Sequence, residues 1–254
     1  MTMDTQEKTQ TAWYIGADRA EVGEAAILVG DPARIDRIAA HMSDVHRVAE
    51  NRGLRTITGT RGGRRVTVSA FGMGAPIAAI VLHELFALGI RNFLRIGTAM
   101  AVPPARIGDF VLADGALRAD GTSDSYAPRG FPAIADFELN TRLRQRLAAS
   151  PRPWHAGIFG TWDGFYTEMF GISGERREMI GALKRDIERL GLIGTDMETA
   201  ALLVAARVLG ARASTLCVAT VDAFTQEKIA DEAMAAAEAE LFEIALDAIT
   251  ALPA

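Results

Sequence analysis

The segment from residue 66 to residue 102 constrains the fold more than any other part of the chain. Residues 66–71 are rich in β-branched side chains and end at a Gly-Met-Gly turn, which predicts a buried strand. Apolar residues then recur at helical spacing over 76–88, and a second strand is predicted over 92–96. Strand, helix and strand in this order form a βαβ unit, in which ligands bind at the carboxyl ends of the strands.

Arg95 lies near the end of the second strand of this unit. The amide of Gly97 and the hydroxyl of Thr98 follow directly. A guanidinium, a hydroxyl and an amide in one turn favour an anion as the ligand. We therefore expect an anion site at this end of the predicted sheet.

A second turn earlier in the chain offers the same groups. Residues 25–29 form an apolar strand that ends at Gly30, and Arg34 lies in the first turn of a helix predicted over 32–42. Helix N-termini bind anions because their amides are unpaired. Together the two turns suit a tetrahedral oxyanion such as phosphate.

The rest of the chain continues the alternation of strands and helices. Strands are predicted over 108–113, 155–166 and 213–221, a hairpin over 45–60, and helices over 135–149, 174–190, 199–209 and 228–252. Residues 114–132 are rich in Gly, Ser, Asp and Pro, which predicts a functional loop or lid. We expect an α/β fold: one three-layer domain over 13–254, with a central mixed β-sheet flanked by helices, after a flexible N-terminus over 1–12.

Composition excludes several classes of function. With 27 basic and 32 acidic residues the net charge is −5, which argues against nucleic acid as a partner. The single cysteine, Cys217, fits a reducing compartment. The first residues are not a signal peptide and no apolar stretch could cross a bilayer, so we expect a cytoplasmic protein without membrane contact. The four histidines lack metal-ligand spacing, and we expect no metal site.

Carboxylates mark a third set of positions. Asp196 and Glu198 precede the apolar helix over 199–209, and Asp222 ends the strand over 213–221. Carboxylates suit the binding of sugar hydroxyls and the transfer of protons. Asp222 could equally cap a turn, and both interpretations stay open at this point.

In order and spacing these segments resemble the nucleoside phosphorylases of the uridine phosphorylase and hexameric purine nucleoside phosphorylase type. The matching motifs are Gly30-Asp31-Pro32-x-Arg34, Gly72-x-Gly74-x-Pro76, Glu84-Leu85, Arg95-Ile96-Gly97-Thr98, Phe165-Tyr166 and Met197-Glu198-Thr199-Ala200. The resemblance implies a nucleoside phosphorylase-like fold. It also implies phosphorolytic cleavage of the N-glycosidic bond of a nucleoside, with inorganic phosphate as co-substrate and no cofactor.

The resemblance further implies roles for single residues. Phosphate would be bound by Gly30, Arg34, Arg95 and Thr98, and by Arg52 of a neighbouring subunit. Ribose would contact Tyr14, Met197 and Glu198, and the base would contact Met100, Phe165, Asp196 and Asp222. The expected catalytic residues are Arg95, which positions phosphate, and Asp222, which in purine-cleaving members protonates the base. A shared Arg52 requires at least a dimer, and the family suggests a hexamer built of dimers.

Several positions depart from the family and bear on the substrate. Met169 and Gly171 stand where uracil-cleaving members have a glutamine and an arginine that bind uracil. We therefore expect a purine or purine-like base, with a uridine or pyrimidine nucleoside phosphorylase as the alternative. Met100 in place of a glycine and Asp196 in place of a glutamate leave room for a hydrolytic nucleosidase. A nucleoside-binding relative without turnover is the last alternative.

Overall fold

The computed structural model describes residues 11–252, without the side chains of residues 176–179, 182, 183 and 186. The flexible N-terminus predicted over 1–12 lies mostly outside the described residues, and its boundary with the domain stays a prediction. Ala12, at the beginning of the described range, is buried.

Ten strands and seven helices are present in the described part of the chain. The strands are β1 (Ala25–Val29), β2 (Ser43–Asn51), β3 (Leu54–Arg61), β4 (Arg64–Ala70), β5 (Asn92–Ala101), β6 (Phe110–Ala119), β7 (Ala133–Ile134), β8 (Trp154–Trp162), β9 (Leu192–Asp196) and β10 (Arg212–Asp222). The helices are α1 (Arg34–Ala39), α2 (Ala75–Ala87), α3 (Thr122–Tyr126), α4 (Phe137–Ala148), α5 (Gly174–Arg189), α6 (Thr199–Leu209) and α7 (Asp231–Thr250). One π-helical turn spans Phe165–Met169.

The strands form one mixed sheet in the order β10-β6-β8-β9-β5-β1-β4-β3-β2, with β7 beside β6. β1 pairs in parallel with β4 and β5, whereas β9 and β5 are antiparallel. β5 also pairs with β10, so β5, β10, β6, β8 and β9 close into a ring. The mixed sheet and the single α/β domain confirm the fold class predicted from the sequence.

Helices cover both faces of this sheet. Alternate residues of β1 point to opposite faces, as the pleat of a strand requires. Ile27 packs in a core with residues of α1, α4 and α7, whereas Leu28 packs in a second core with residues of α2 and α6. The molecule therefore has three layers. Of the helices in residues 11–252, none has the length and apolar character to cross a bilayer, and the cytoplasmic location stays a prediction.

β5 is longer than the sequence predicted. The strand continues from Ile96 to Ala101, because residues beyond Ile96 pair with β10 and the last two also pair with β9. Thr98 and Met100 therefore lie within a strand and not in a turn. The extension places Thr98 inside the sheet, where it pairs with Val218 of β10.

The predicted lid over 114–132 is wrong for most of its length. β6 continues to Ala119, and α3 follows. The guanidinium of Arg118 donates to the carbonyls of Ala127, Pro128 and Phe131, which fastens the segment after α3 to the sheet. Arg118 thus fixes a segment whose composition suggested a loop.

Two further elements differ from the predictions. The helix expected over 32–42 is shorter and spans Arg34–Ala39, because Asp31 and Pro32 form the turn before it. The strand β9 was absent from the predicted elements. Only five residues long, it is too short to show a period in the sequence.

Candidate active site

A cavity of about 710 Å³ opens beyond the carboxyl ends of β1, β4 and β9, beside the second half of β5. It brings together most of the residues predicted from the sequence: Gly30, Arg34, Arg95, Thr98, Met100, Phe165, Asp196, Met197 and Glu198. Among the described residues, Tyr14, Arg52 and Asp222 are not part of its lining. The site thus unites segments that are far apart in the sequence.

Arg95 is the buried cation of this cavity. Its Nη2 lies 2.5 Å from a carboxylate oxygen of Glu198, and its Nη1 lies 3.1 Å from a carboxylate oxygen of Asp196. Nη1 also lies 2.8 Å from the sulfur of Cys217. Burial acts to lower the pKa of Arg95, but its interactions with Cys217, Asp196 and Glu198 outweigh burial and raise that pKa. The guanidinium therefore stays charged and has a fixed orientation.

Glu198 has both carboxylate oxygens engaged at the N-terminus of α6. One oxygen accepts from Arg95, and the other accepts from the backbone N–H of Gly74, 2.7 Å away. Gly74 has φ +100°, a conformation that favours glycine, and this turn aims its N–H at Glu198. The hydrogen bonds from Gly74 and Arg95 therefore fix the Glu198 carboxylate at the cavity wall.

Asp196 is held by its own neighbours. It accepts hydrogen bonds from the hydroxyls of Thr161 (2.8 Å) and Thr199 (2.5 Å), in addition to its ion pair with Arg95. Its side chain is almost fully buried. These contacts show Asp196 supporting Arg95 and the start of α6, and its predicted contact with the base stays a prediction.

Arg34 lies in α1 and faces the cavity from the side of β1. Its Nε donates to the carboxylate of Glu238 in α7, 2.6 Å away, and both side chains are buried. Gly30 lies at the end of β1, where a Cβ would meet the carbonyl of Gly72 at 2.8 Å. The turns at Gly30 and Gly72 are therefore in close contact. Arg34 and the amide of Gly30 lie at the same wall of the cavity.

The opposite wall is apolar. The rings of Phe165 and Phe170 are stacked, with centroids 5.6 Å apart and an angle of 11° between the planes. Phe170 and Met100 both belong to the wall, and Met169 is buried against it. Stacked rings and thioethers can pack against a flat aromatic ligand. Phe165 therefore lies where a base-stacking role is possible.

Asp222 is not among the described residues that line the cavity. One of its carboxylate oxygens accepts from the N–H groups of Phe224 (2.8 Å) and Thr225 (2.7 Å). This is the cap of a tight turn after β10. One carboxylate oxygen of Asp222 thus has the turn-capping role that was one of its two interpretations, and its predicted role in protonating the base stays a prediction.

Tyr14 and Arg52 lie together on the surface. The guanidinium of Arg52 is 5.3 Å from the centroid of the Tyr14 ring, and the backbone N–H of Tyr14 donates to Glu84 of α2. Arg52 is exposed in the turn between β2 and β3, with φ +53°. Arg52 was predicted to bind the phosphate of a neighbouring subunit and Tyr14 to contact the ribose, and neither is among the described residues that line the cavity of their own chain.

Several lining residues were missed in the sequence, chiefly in α7 and the segment before it: Thr220, Lys228, Ile229 and Met234. Glu238, the partner of Arg34, was also missed. A signal was present for Glu238, because it precedes Leu241, Phe242 and Ala245 at helical spacing and so falls on the apolar stripe of α7. An acid on such a stripe indicates a buried basic partner.

A family model described as the phosphorylase superfamily matches residues 24–250. The chain belongs to the phosphorylase superfamily. The resemblance inferred from its motifs is therefore confirmed, and this superfamily member is an enzyme.

Curated relatives agree with the family. The chain is 33% identical to the uridine phosphorylase of Escherichia coli over 227 residues, which is 88% of this chain and 90% of that protein. It is 34% identical to the guanosine phosphorylase of Halorubrum lacusprofundi over 210 residues, 82% of each protein. The crystal structure of uridine phosphorylase from Vibrio fischeri superimposes with a TM-score of 0.86 at 26% identity, covering 97% of this chain and 100% of that one.

Proposed function

We propose that this enzyme is a nucleoside phosphorylase that cleaves uridine or a related pyrimidine nucleoside with inorganic phosphate. The products are the free base and ribose 1-phosphate or its deoxy form. The observation that carries the proposal is the composition of one cavity: two buried arginines, a carboxylate held by one of them, and a wall of stacked aromatic rings.

Phosphate binds at the wall formed by Gly30, Arg34, Arg95 and Thr98. The guanidinium of Arg34 uses its Nε for Glu238, which leaves its Nη groups to donate to phosphate oxygens. Arg95, the amide of Gly30 and the hydroxyl of Thr98 supply further donors. Because carboxylates fix both Arg34 and Arg95, the two guanidiniums are oriented before phosphate binds.

Ribose binds beside this phosphate, at Met197 and Glu198. The Glu198 carboxylate already accepts from Gly74 and Arg95, and its remaining lone pairs can accept from sugar hydroxyls. A hydrogen-bonded carboxylate held on both sides fixes the sugar with its anomeric carbon toward phosphate. Positioning of the two reactants in this way supplies much of the rate enhancement.

The chemistry follows from the charges of the cavity. Breaking the N-glycosidic bond leaves positive charge on the ribose and negative charge on the base. The bound phosphate stabilises the first of these charges and attacks the anomeric carbon. Arg95 contributes to the reaction by orienting both the bound phosphate and the carboxylate of Glu198.

A pyrimidine is favoured over the purine expected from the sequence. The purine preference depended in part on Asp222, and one oxygen of its carboxylate caps a turn. Relatives from Thermococcus kodakarensis (31% identical) and Escherichia coli (33% identical) are uridine phosphorylases. These relatives support uridine as the first substrate to test.

A purine with a 6-oxo group is the second candidate. It is favoured by the relative from Halorubrum lacusprofundi, a guanosine phosphorylase. The absence of a glutamine and an arginine at Met169 and Gly171 also removes the pair that reads uracil in the uracil-cleaving members. An apolar wall can accept either ring system.

The active assembly is at least a dimer, and a hexamer built of dimers is the form we propose. Arg52 and the half-buried Tyr14 lie side by side, and neither lines the cavity of its own chain. In a dimer this pair completes the cavity of the neighbouring subunit, where Arg52 donates to phosphate and the Tyr14 hydroxyl meets the ribose.

A nucleoside panel tests the proposed function. Uridine, thymidine, cytidine, inosine, guanosine and adenosine are incubated with the enzyme, with and without phosphate, and base release is followed by chromatography. We expect release from uridine that requires phosphate. Release without phosphate would support the hydrolytic nucleosidase instead, and nucleoside binding without release would support the non-catalytic relative.

A further inference from the structure

Lys228 stands at the aromatic wall of the cavity, in the segment between β10 and α7. Its Nζ lies 5.4 Å from the centroid of the Phe170 ring. Phe170 in turn is stacked on Phe165. An ammonium group is therefore held above the ring system against which the base would pack.

Lys228 differs from the other basic side chains of the cavity wall. Arg34 is paired with Glu238, and Arg95 is paired with Glu198 and Asp196. Among the described side chains, no carboxylate oxygen lies within 4 Å of Lys228 Nζ. Among the described residues that line the cavity, Lys228 is therefore the one basic side chain without an ion pair.

The backbone around Lys228 is fixed. Asp222 caps the turn that precedes it, and Lys228 forms a β-bridge with Val221 of β10. The side-chain amide of Gln226 donates to the carbonyl of Gly171 (3.0 Å) and accepts from its N–H (2.8 Å). These contacts join the Lys228 segment to the segment that carries Phe170, so the fold fixes the backbone from which the Lys228 side chain extends toward the ring.

We propose that Lys228 is a catalytic residue that stabilises the departing base by donating a hydrogen bond to a carbonyl oxygen of that base. This inference rests on the proposed function and names the substrate class more closely: nucleosides whose base carries a carbonyl oxygen. Lys228 has three N–H donors and no acceptor. A carbonyl oxygen that gains negative charge as the bond breaks is its partner, whereas an exocyclic amino group offers it no acceptor.

The step balances in electrons and protons. The electron pair of the C1′–N bond stays with the base, and a pair from a phosphate oxygen forms the C1′–O bond. The negative charge on the base spreads to its carbonyl oxygen, where Lys228 donates a hydrogen bond and keeps its proton. The base then takes up, through water, the proton that monohydrogen phosphate loses, so a neutral base and dianionic ribose 1-phosphate leave.

Substrates that differ in leaving-group ability test this role. Wild type and the Lys228→Met and Lys228→Arg variants are assayed with uridine and with 5-fluorouridine, whose base is the better leaving group. Glu227→Gln serves as the control, because Glu227 is exposed and adjacent in sequence but outside the cavity wall. Far-UV circular dichroism of each variant checks folding.

We expect Lys228→Met to lower kcat/KM for uridine by about 100-fold, and to lower it much less for 5-fluorouridine. Lys228→Arg should retain most of the activity, and Glu227→Gln should match wild type. Equal losses on the two substrates, or no loss, with an active wild type would overturn the role of Lys228 and leave the proposed function intact. A wild type that cleaves neither nucleoside would overturn the proposed function itself.

Discussion

Arg95 and Glu198, 103 residues apart in the sequence, meet in the cavity with 2.5 Å between Nη2 and a carboxylate oxygen. β5 carries the arginine and the N-terminus of α6 carries the glutamate. Both side chains are buried, so each charge depends on the other for stabilisation. The pair joins the phosphate wall to the ribose position, and it is the structural centre of the proposed reaction.

Replacing Glu198 by Gln tests this relationship. The amide keeps the shape of the side chain but removes the charge that holds Arg95 and one of the two acceptor oxygens, because an NH2 group replaces it. We expect kcat/KM for the nucleoside to fall by about 100-fold, measured from initial rates. Glu232→Gln, an exposed acid in the first turn of α7, is the matched control. A Glu198→Gln enzyme with wild-type rates would show that the pair has no part in the reaction.

The contact between Arg34 and Glu238 predicts an effect on phosphate. Glu238→Ala removes the acceptor that orients Arg34, and a hydrogen bond to a charged group contributes about 1.5–3 kcal/mol. We expect the KM for phosphate to rise by about 10-fold to 100-fold, with a much smaller change in the KM for the nucleoside. Glu238→Gln keeps an acceptor and should cause a smaller rise. An equal change in both KM values would contradict a specific role in phosphate binding.

Cys217 is predicted to be inert in the folded protein. Burial raises the pKa of its thiol to about 11, so the thiol stays protonated and inaccessible at pH 8. Ellman's reagent should react with native protein only slowly, and with one equivalent after unfolding in guanidinium chloride. Rapid reaction of the native protein would show that the cavity exposes this sulfur.

The same thiol should affect stability at alkaline pH. Burial raises the pKa of this thiol from its ordinary value near 9 to about 11, so the folded state holds the proton more tightly than the unfolded state. The contribution of Cys217 is therefore complete below pH 9 and is lost as the pH rises toward 11, with a slope of about 1.4 kcal/mol per pH unit. Urea unfolding of wild type and Cys217→Ala across this range measures the difference.

Complementation between two inactive variants tests the shared site. Arg34→Ala removes a phosphate ligand of a subunit's own cavity, and Arg52→Ala removes the ligand given to its neighbour. In a mixed dimer one cavity then has both arginines. We expect each variant alone to be impaired in phosphate binding, and a mixture refolded together to recover about a quarter of wild-type activity. Absence of recovery, together with a monomer in sedimentation, would contradict the proposed assembly.

Much of the fold could be predicted from periodicity and turn residues. β1 agrees with its predicted range, and α2 begins beside Pro76 and ends before Gly89, because local apolar patterns decide these elements. The end of β5 could not be predicted, since residues 97–101 become a strand only through pairing with β10 and β9. The segment over 114–132 was missed because Arg118 organises it through side-chain hydrogen bonds to the carbonyls of Ala127, Pro128 and Phe131, which leave no period in the sequence.

Some residues of the candidate site could likewise be predicted from the sequence, and others could not. The arginines and Glu198 could be located from motifs, because Arg34 and Glu198 lie at the beginning of helices and Arg95 lies in a predicted strand. The pairing of Arg34 with Glu238 could not be predicted, since 204 residues separate the two. For Asp222 the sequence left two interpretations open. The structure shows one of its carboxylate oxygens capping the turn after β10, and its role toward the base stays a prediction. The position of Lys228 over the Phe170 ring could not be predicted, because the stacked rings of Phe165 and Phe170 come together only in three dimensions.

Phosphorus NMR of a uridine reaction tests the central proposal most directly, because it observes the fate of phosphate itself. Enzyme, uridine and inorganic phosphate are mixed, and the ³¹P spectrum is recorded while uracil release is followed in parallel. The proposal predicts a ribose 1-phosphate signal that grows in a one-to-one ratio with uracil, at the expense of inorganic phosphate. Uracil released with an unchanged phosphate signal would show hydrolysis and would contradict the role given to Arg34 and Arg95.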